Sequence, residues 1–317
     1  MNILHETNMK SIIEFIFGLT IFILSIRLLS SYMENNLNNK IKNILTDFTY
    51  KKFNGLIIGI IITVIVQSSS LVIVLVIILA HSNVLDIKRA LPIVLGSNIG
   101  TTFTGQITAF NVKNILPIII LSGLILYLYS MDNKYRLAGS FILCISLIFI
   151  GIELMGSSLY KVTSSNYILK NIGYVYDSKI NSILFGSFFS SLIHSSSTSI
   201  VLLQLISEKE IIPLLSSIYI LFGLNIGTSI DAIIAGISTN NYGRRIALFH
   251  LLFNILGVII FFYLGDLLKS LVMILSPYNI SRQIANAHTI FNITIVMLIF
   301  PFIDYISDIL NPKKLGS

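Results

Sequence analysis

Charge is scarce in this sequence. Of its 317 residues only 11% are Asp, Glu, Lys or Arg, against about 25% in an ordinary soluble domain. Hydrophobic residues make up 55%, and the mean hydropathy is +0.88. That balance excludes a water-soluble globule and points to an integral membrane protein. Cysteine is nearly absent: Cys144 stands alone in an apolar run, which excludes an internal disulfide. A cleavable leader is not expected either. The first apolar run begins near Ser11 after a polar start, lacks a small-residue cleavage site, and reads as a retained helix. The formal net charge of +7 then belongs to loops at an anionic membrane face rather than to nucleic acid.

A spanning helix needs about 20 apolar residues. The predicted spans are Ser11–Ser30, Ile115–Ser130, Leu137–Met155, Ile246–Gly265 and about Ile284–Ile303, with Glu14, Arg27 and Glu153 their charged exceptions. Two polar amphipathic stretches, Asn36–Phe53 and Leu159–Lys179, read as interfacial.

Two further apolar stretches are interrupted by polar clusters. "VIVQSSSLVIVLVIILA" (Val64–Ala80) carries Gln67, Ser68, Ser69 and Ser70; "SLIHSSSTSIVLL" (Ser191–Leu203) carries His194, Ser195, Ser196 and Ser197. Gln67 to Asn98 is 31 positions, and so is His194 to Asn225. A shift of 127 lays "QSSS" (Gln67–Ser70) on "HSSS" (His194–Ser197) and "GSNIGTT" (Gly96–Thr102) on "GLNIGTS" (Gly223–Ser229), with eight of these eleven positions identical. Gene duplication explains this without a gap.

Phe53–Val66 and Leu71–Ala80 are each too short to span, so they make one long span or a hairpin that dips in and returns. Lys40, Lys42, Lys51 and Lys52 precede the unit and Lys88 and Arg89 follow it; basic residues on both flanks favour a hairpin from the cytoplasmic side. Three crossings follow, about Ala90–Phe110, Ile115–Ser130 and Leu137–Met155, so the second hairpin enters from outside, beside "SEKE" (Ser207–Glu210). Tyr219–Ser238 returns to Arg244 and Arg245. The predicted fold is an all-α integral membrane protein, residues 1–317 forming one transmembrane transport domain. It is an inverted repeat with two re-entrant hairpins and broken transmembrane helices. Repeat one covers about 36–130, repeat two about 159–265, and helices 11–30 and 284–303 flank them. The N-terminus is expected outside and the C-terminus inside.

Such broken helices suit solute binding. Hairpin tips entering from opposite faces meet near the midplane, where inverted-repeat transporters bind substrate and ions. Half-helix N-termini favour an anion. Hydroxyls and amides donate to an oxyanion, and their oxygens also suit sodium. The glycines of "NIGTT" and "NIGTS" are expected to let the backbone break and approach a ligand.

The paired "QSSS"-type and "G-x-N-I-G-T-[TS]" motifs, with "RRIALFHLLFNILGVII" (Arg244–Ile260) and "IANAHTIFNI" (Ile284–Ile293), resemble the type II sodium–phosphate cotransporter family over roughly residues 10–305. The resemblance implies a plasma-membrane, multi-pass symporter that imports inorganic phosphate with sodium as the coupling ion, without an organic cofactor. By position it carries binding roles onto Gln67, Ser68, Ser69, Ser70, Asn98, Thr101 and Thr102, and onto Ser195, Ser196, Ser197, Asn225, Thr228 and Ser229. Two departures are counted with the site: His194 replaces a glutamine, and Asp231 stands where the first copy has Thr104. The sodium sites are expected among the same residues. The chain stops at Ser317, where many bacterial relatives continue into a PhoU-type domain. Besides phosphate, sodium and the lipid bilayer, the candidate partners are therefore a second copy of the chain and a separate PhoU-like regulator.

Plainer readings stand beside these. Serines in membrane helices often bond the preceding turn, and the asparagines could cap helix breaks. Glu14 and Glu153 suit packing or snorkelling, and His250 and His288 suit bonds to a neighbouring helix. Asp231 could simply pair with His194 or a basic side chain. Adjacent His194 and Ser195 would suit an intramembrane serine hydrolase, but no G-x-S-x-G context exists and the first copy has no histidine; an enzyme is not expected. Another oxyanion, sulfate or a dicarboxylate, remains an alternative cargo, and a non-transporting phosphate sensor a weaker one.

Overall fold

The computed structural model describes residues 2–110, 112–129, 132–163 and 173–311, and no strand occurs among them. The first helix, α1 (Asn2–Asp47), is 46 residues long. The expected interfacial stretch Asn36–Phe53 is thus no separate element: its first part continues α1, and the chain bends only at residues 48–51. Of the second such stretch, Leu159–Lys179, residues 164–172 lie outside the described residues, and its start continues a long helix to Thr163.

The first broken unit is α2 (Lys52–Val66) and α3 (Ser69–His81). It is followed by α4 (Ile87–Thr108), α5 (Leu116–Tyr129) and α6 (Asn133–Thr163). The second is α7 (Lys179–Ile193) and α8 (Ser196–Glu208), followed by α9 (Leu214–Gly227) and α10 (Ser229–Ile237). The long α11 (Asn241–Leu275) and then α12 (Ile280–Ile299) complete the bundle, with a 3-10 turn and α13 (Ile303–Ile309) behind them. Five helical stretches are long and apolar enough to cross a membrane: Met9–Leu29, Lys134–Ser158, Leu214–Ile237, Asn241–Leu275 and Ile280–Ile309. This is a multi-pass membrane protein. The predicted span Ile115–Ser130 is represented by α5, whose 14 residues reach about 21 Å and fall short of a hydrocarbon core about 30 Å thick.

Both breaks have one geometry, set by local sequence. Gln67 ends α2 in the left-handed region (φ 57°, ψ 25°), and its N–H closes on the Thr63 carbonyl. Ser68 is then extended, and its hydroxyl caps α3 by accepting from Leu71 N–H. His194 (φ 53°, ψ 28°) and Ser195 repeat this, Ser195 accepting from Thr198 N–H. Left-handed backbone in a non-glycine residue costs on the order of 1–3 kcal/mol and persists where the surroundings fix it.

The flanks of each unit lie together. Arg89, just after α3, donates to Thr49 Oγ1, just before α2, at 3.2 Å and stacks on Tyr50. Lys52 and Lys88 pair with Asp304 and Asp308, one turn apart on α13. The second unit is anchored at the other end of the bundle. Lys179 pairs with Asp266 in the distal part of α11, and Glu208 accepts from Ser281 at the start of α12.

Within each unit the repeat reproduces its packing. A Cβ at Gly96 would collide with the Leu56 carbonyl oxygen, and one at Gly223 with that of Ile183, the positions 127 later. Here the expectation for the "NIGT" motifs needs correction. Helix α4 runs unbroken through Gly96–Thr102, and its counterpart has only a one-residue interruption at Thr228, still near helical (φ −62°, ψ −19°). The glycines do not open the helix; they let two backbones touch.

Candidate functional site

The two tips meet. A cavity of about 290 Å³ is lined by Gln67, Ser68 and Ser70 from the first and by His194 to Thr198 from the second. The α1 residues Ile23, Ile26, Arg27 and Ser31 form its remaining wall. A second, very small cavity lies beside it. Its lining is paired across the repeat: Ser69 with Ser196, Asn98 with Asn225, Thr101 with Thr228, and then Ile200, Leu224 and His288. At about 10 Å³ it admits a single water-sized occupant.

A hydrogen-bond network with the same two-fold pattern surrounds the tips. Within the first unit Thr104 Oγ1 donates to Gln67 Oε1 at 2.8 Å. At the equivalent positions His194 Nδ1 lies 2.6 Å from Asp231 Oδ1. The cross-links between units are equivalent too. Ser70 donates to Asp231 Oδ2 at 2.6 Å, and Ser197 donates to Thr104 Oγ1 at 3.4 Å. The two departures noted in sequence are therefore one: a neutral Gln–Thr contact is replaced, at both partners together, by an ionisable His–Asp contact. Asp231 pairs with His194, as the plainer reading had it. A lone intramembrane carboxylate would cost at least about 2.5 kcal/mol; this one is held from both sides.

Asn98 and Asn225 each donate to the carbonyl four residues back, Val94 and Leu221, at 3.0 and 2.9 Å. Their amide oxygens face two later helices: His250 Nε2 is 3.3 Å from Asn98 Oδ1, and Asn292 Nδ2 donates to Asn225 Oδ1 at 3.3 Å. Asn254 Nδ2 donates to Ser229 Oγ at 2.9 Å. Thr102 and Ser229 are buried but line neither cavity; Thr102 bonds the Ile99 carbonyl. Glu153 is outside the site, half-exposed and paired with Lys113 at 2.8 Å.

Four residues were not assigned to the site from sequence: Asn254 and Asn292, which support it, and His288 and Arg27, which line its cavities. A signal for three of them exists. The pattern H-x-x-F-N occurs twice, as His250–Asn254 and His288–Asn292, and each copy serves one of the "NIG" asparagines or the cavity between them.

A family model described as Na+/Pi-cotransporter matches residues 21–158 and 151–277, one match for each half. The chain belongs to the Na+/Pi-cotransporter family. This is a family of transporters, not of enzymes. Among relatives, YqeW of Bacillus subtilis is 30% identical over 258 residues, 80% of this chain and 82% of its own. YjbB of Escherichia coli, whose name describes inorganic phosphate export, is 25% identical over 221 residues, 70% of this chain but 41% of its own. The chain therefore spans less than half the length of that relative. The rabbit sodium-dependent phosphate transport protein 2A is 46% identical over 55 residues, 17% of this chain and 9% of its own. No solved structure matches the chain. As in the Na+/Pi-cotransporter model, the two halves are matched separately, and the paired tips belong one to each.

Proposed function

We propose that this protein is a plasma-membrane secondary transporter that moves inorganic phosphate with sodium, inward. The observation that carries the reading is the convergence of two duplicated, hydroxyl-rich helix breaks on one cavity, in a member of the Na+/Pi-cotransporter family. The tips re-enter the bilayer from opposite faces. Phosphate occupies the cavity between them, where the hydroxyls of Ser68, Ser70, Ser195 and Ser197 and two half-helix N-termini offer donors. Sodium suits the small neighbouring cavity, which gathers oxygens of Ser69, Asn98 and Thr101 with those of Ser196, Asn225 and Thr228. Hard cations take oxygen ligands. Asp231 sits just behind the second tip and adds negative charge there, which strengthens cation binding.

Direction follows from coupling. With an inward sodium gradient a symporter imports, and each net charge moved inward across 100 mV yields about 2.3 kcal/mol. The name of YjbB describes export, so direction is measured rather than assumed. The test is uptake of radiolabelled phosphate into proteoliposomes with and without an inward sodium gradient. Sodium-stimulated uptake is expected. Uptake equal in sodium and potassium removes the coupling, and uptake of sulfate but not phosphate changes the cargo.

A further inference from the structure

We infer that Arg27, on the first helix, is the cationic anchor of the transported oxyanion; this rests on the transport reading above. Four observations lead there. Arg27 lines the same cavity as both tips and their cap serines, Ser68 and Ser195. On α1 it stands one turn from Ile23 and one turn from Ser31, which also line the cavity, and its side chain is exposed, as are those of Leu24 and Leu28. No ion pair to Arg27 occurs among the described residues. The acidic group near the tips, Asp231, bonds Ser70 and His194 instead.

The chemistry matches the position. The tips themselves hold no arginine or lysine, so their hydroxyls can orient an oxyanion but cannot neutralise it. A guanidinium presents a planar fork of donors that fits two oxygens of a tetrahedral oxyanion. In a low-dielectric wall a charged side chain facing a cavity marks a solute path more often than a packing role. The tips thus supply paired neutral donors, and the charge comes from a residue without a charged counterpart: the 127-residue shift lays Arg27 on Leu154. The cavity is asymmetric in charge although its tips are symmetric.

The test is the thermal stability of purified wild type, Arg27→Gln, Arg27→Leu and Arg27→Lys at constant sodium, titrated with phosphate, sulfate or chloride. Phosphate is expected to stabilise the wild type. Both neutral variants should need about ten- to a hundredfold more for the same shift, the loss of a charge-assisted contact. Lysine should lie between, and the melting temperature in chloride should stay level, which shows the variants folded. A neutral variant with the wild-type titration overturns the inference and leaves Arg27 as a lipid headgroup anchor. So does a wild type that no oxyanion stabilises. If sulfate acts through Arg27 where phosphate does not, the anchor stands and the phosphate reading falls.

Discussion

The two halves of this molecule share a backbone and differ in charge. Around the first tip, Gln67, Thr104 and Ser197 form a neutral chain of hydrogen bonds. Around the second, His194, Asp231 and Ser70 occupy the equivalent places with two ionisable groups. Tip dihedrals agree within a few degrees between the halves. A neutral pair therefore suffices to hold a tip, and the fold does not require the His–Asp pair. What the second half adds is a pair of ionisable groups beside the meeting point of the tips.

The largest expected effect is all-or-none and tests whether the halves face opposite ways. Cysteines at Lys52 and Arg89 should label only from the cytoplasm, and cysteines at Asp177 and Glu208 only from outside. Labelling of Lys52 and Arg89 positions from opposite faces breaks the hairpin arrangement, and with it the comparison.

Next come the shared contacts. Gly96→Val and Gly223→Val each force a side chain into a carbonyl oxygen of the neighbouring helix. Each should lose several kcal/mol, beyond the usual 1–3 of overpacking because backbone must move. The yield of monodisperse protein should fall alike in both; a harmless Gly223 variant would mean that the second half packs more loosely than its geometry indicates.

The charge difference is probed by Asp231→Asn against Thr104→Val. Asp231→Asn should raise the sodium concentration for half-maximal uptake about tenfold or change the charge moved per phosphate. Thr104→Val loses one neutral hydrogen bond, worth about 1 kcal/mol of stability, and should leave sodium dependence alone. Equal effects would show that the carboxylate is only structural. The smallest difference is expected between Ser69→Ala and Ser196→Ala. Both line the small cavity, so each should weaken sodium or phosphate activation by a similar factor, about tenfold. Wild-type kinetics in both would assign these serines to packing.

Much of this was legible in the chain itself. Scarce charge and long apolar runs dictate membrane helices, because a bilayer leaves a backbone no other partner for its polar groups. The 127-residue shift is a covalent record of duplication, and it located both tips, both "NIG" asparagines and the Thr104–Asp231 exchange. The helix caps at Ser68 and Ser195 were not anticipated, because each serine also reads as bonding the preceding turn; extended backbone after a left-handed residue decides for the cap. Glycine was a second point of failure. "NIGTT" reads equally as a helix break or as a close helix contact, and only Thr63 and the Ile60 carbonyl beside Gly100 decide for contact. The pairings that build the site were decided by tertiary structure alone. Ser70 reaches Asp231 across 161 positions and His250 reaches Asn98 across 152. No periodicity encodes such distances; they follow from which helix faces pack when two broken units enter one bundle from opposite ends. Arg27 shows the same limit. As a letter it is one charge in an apolar helix, and its place on the cavity that both tips line exists only once α1 closes the wall.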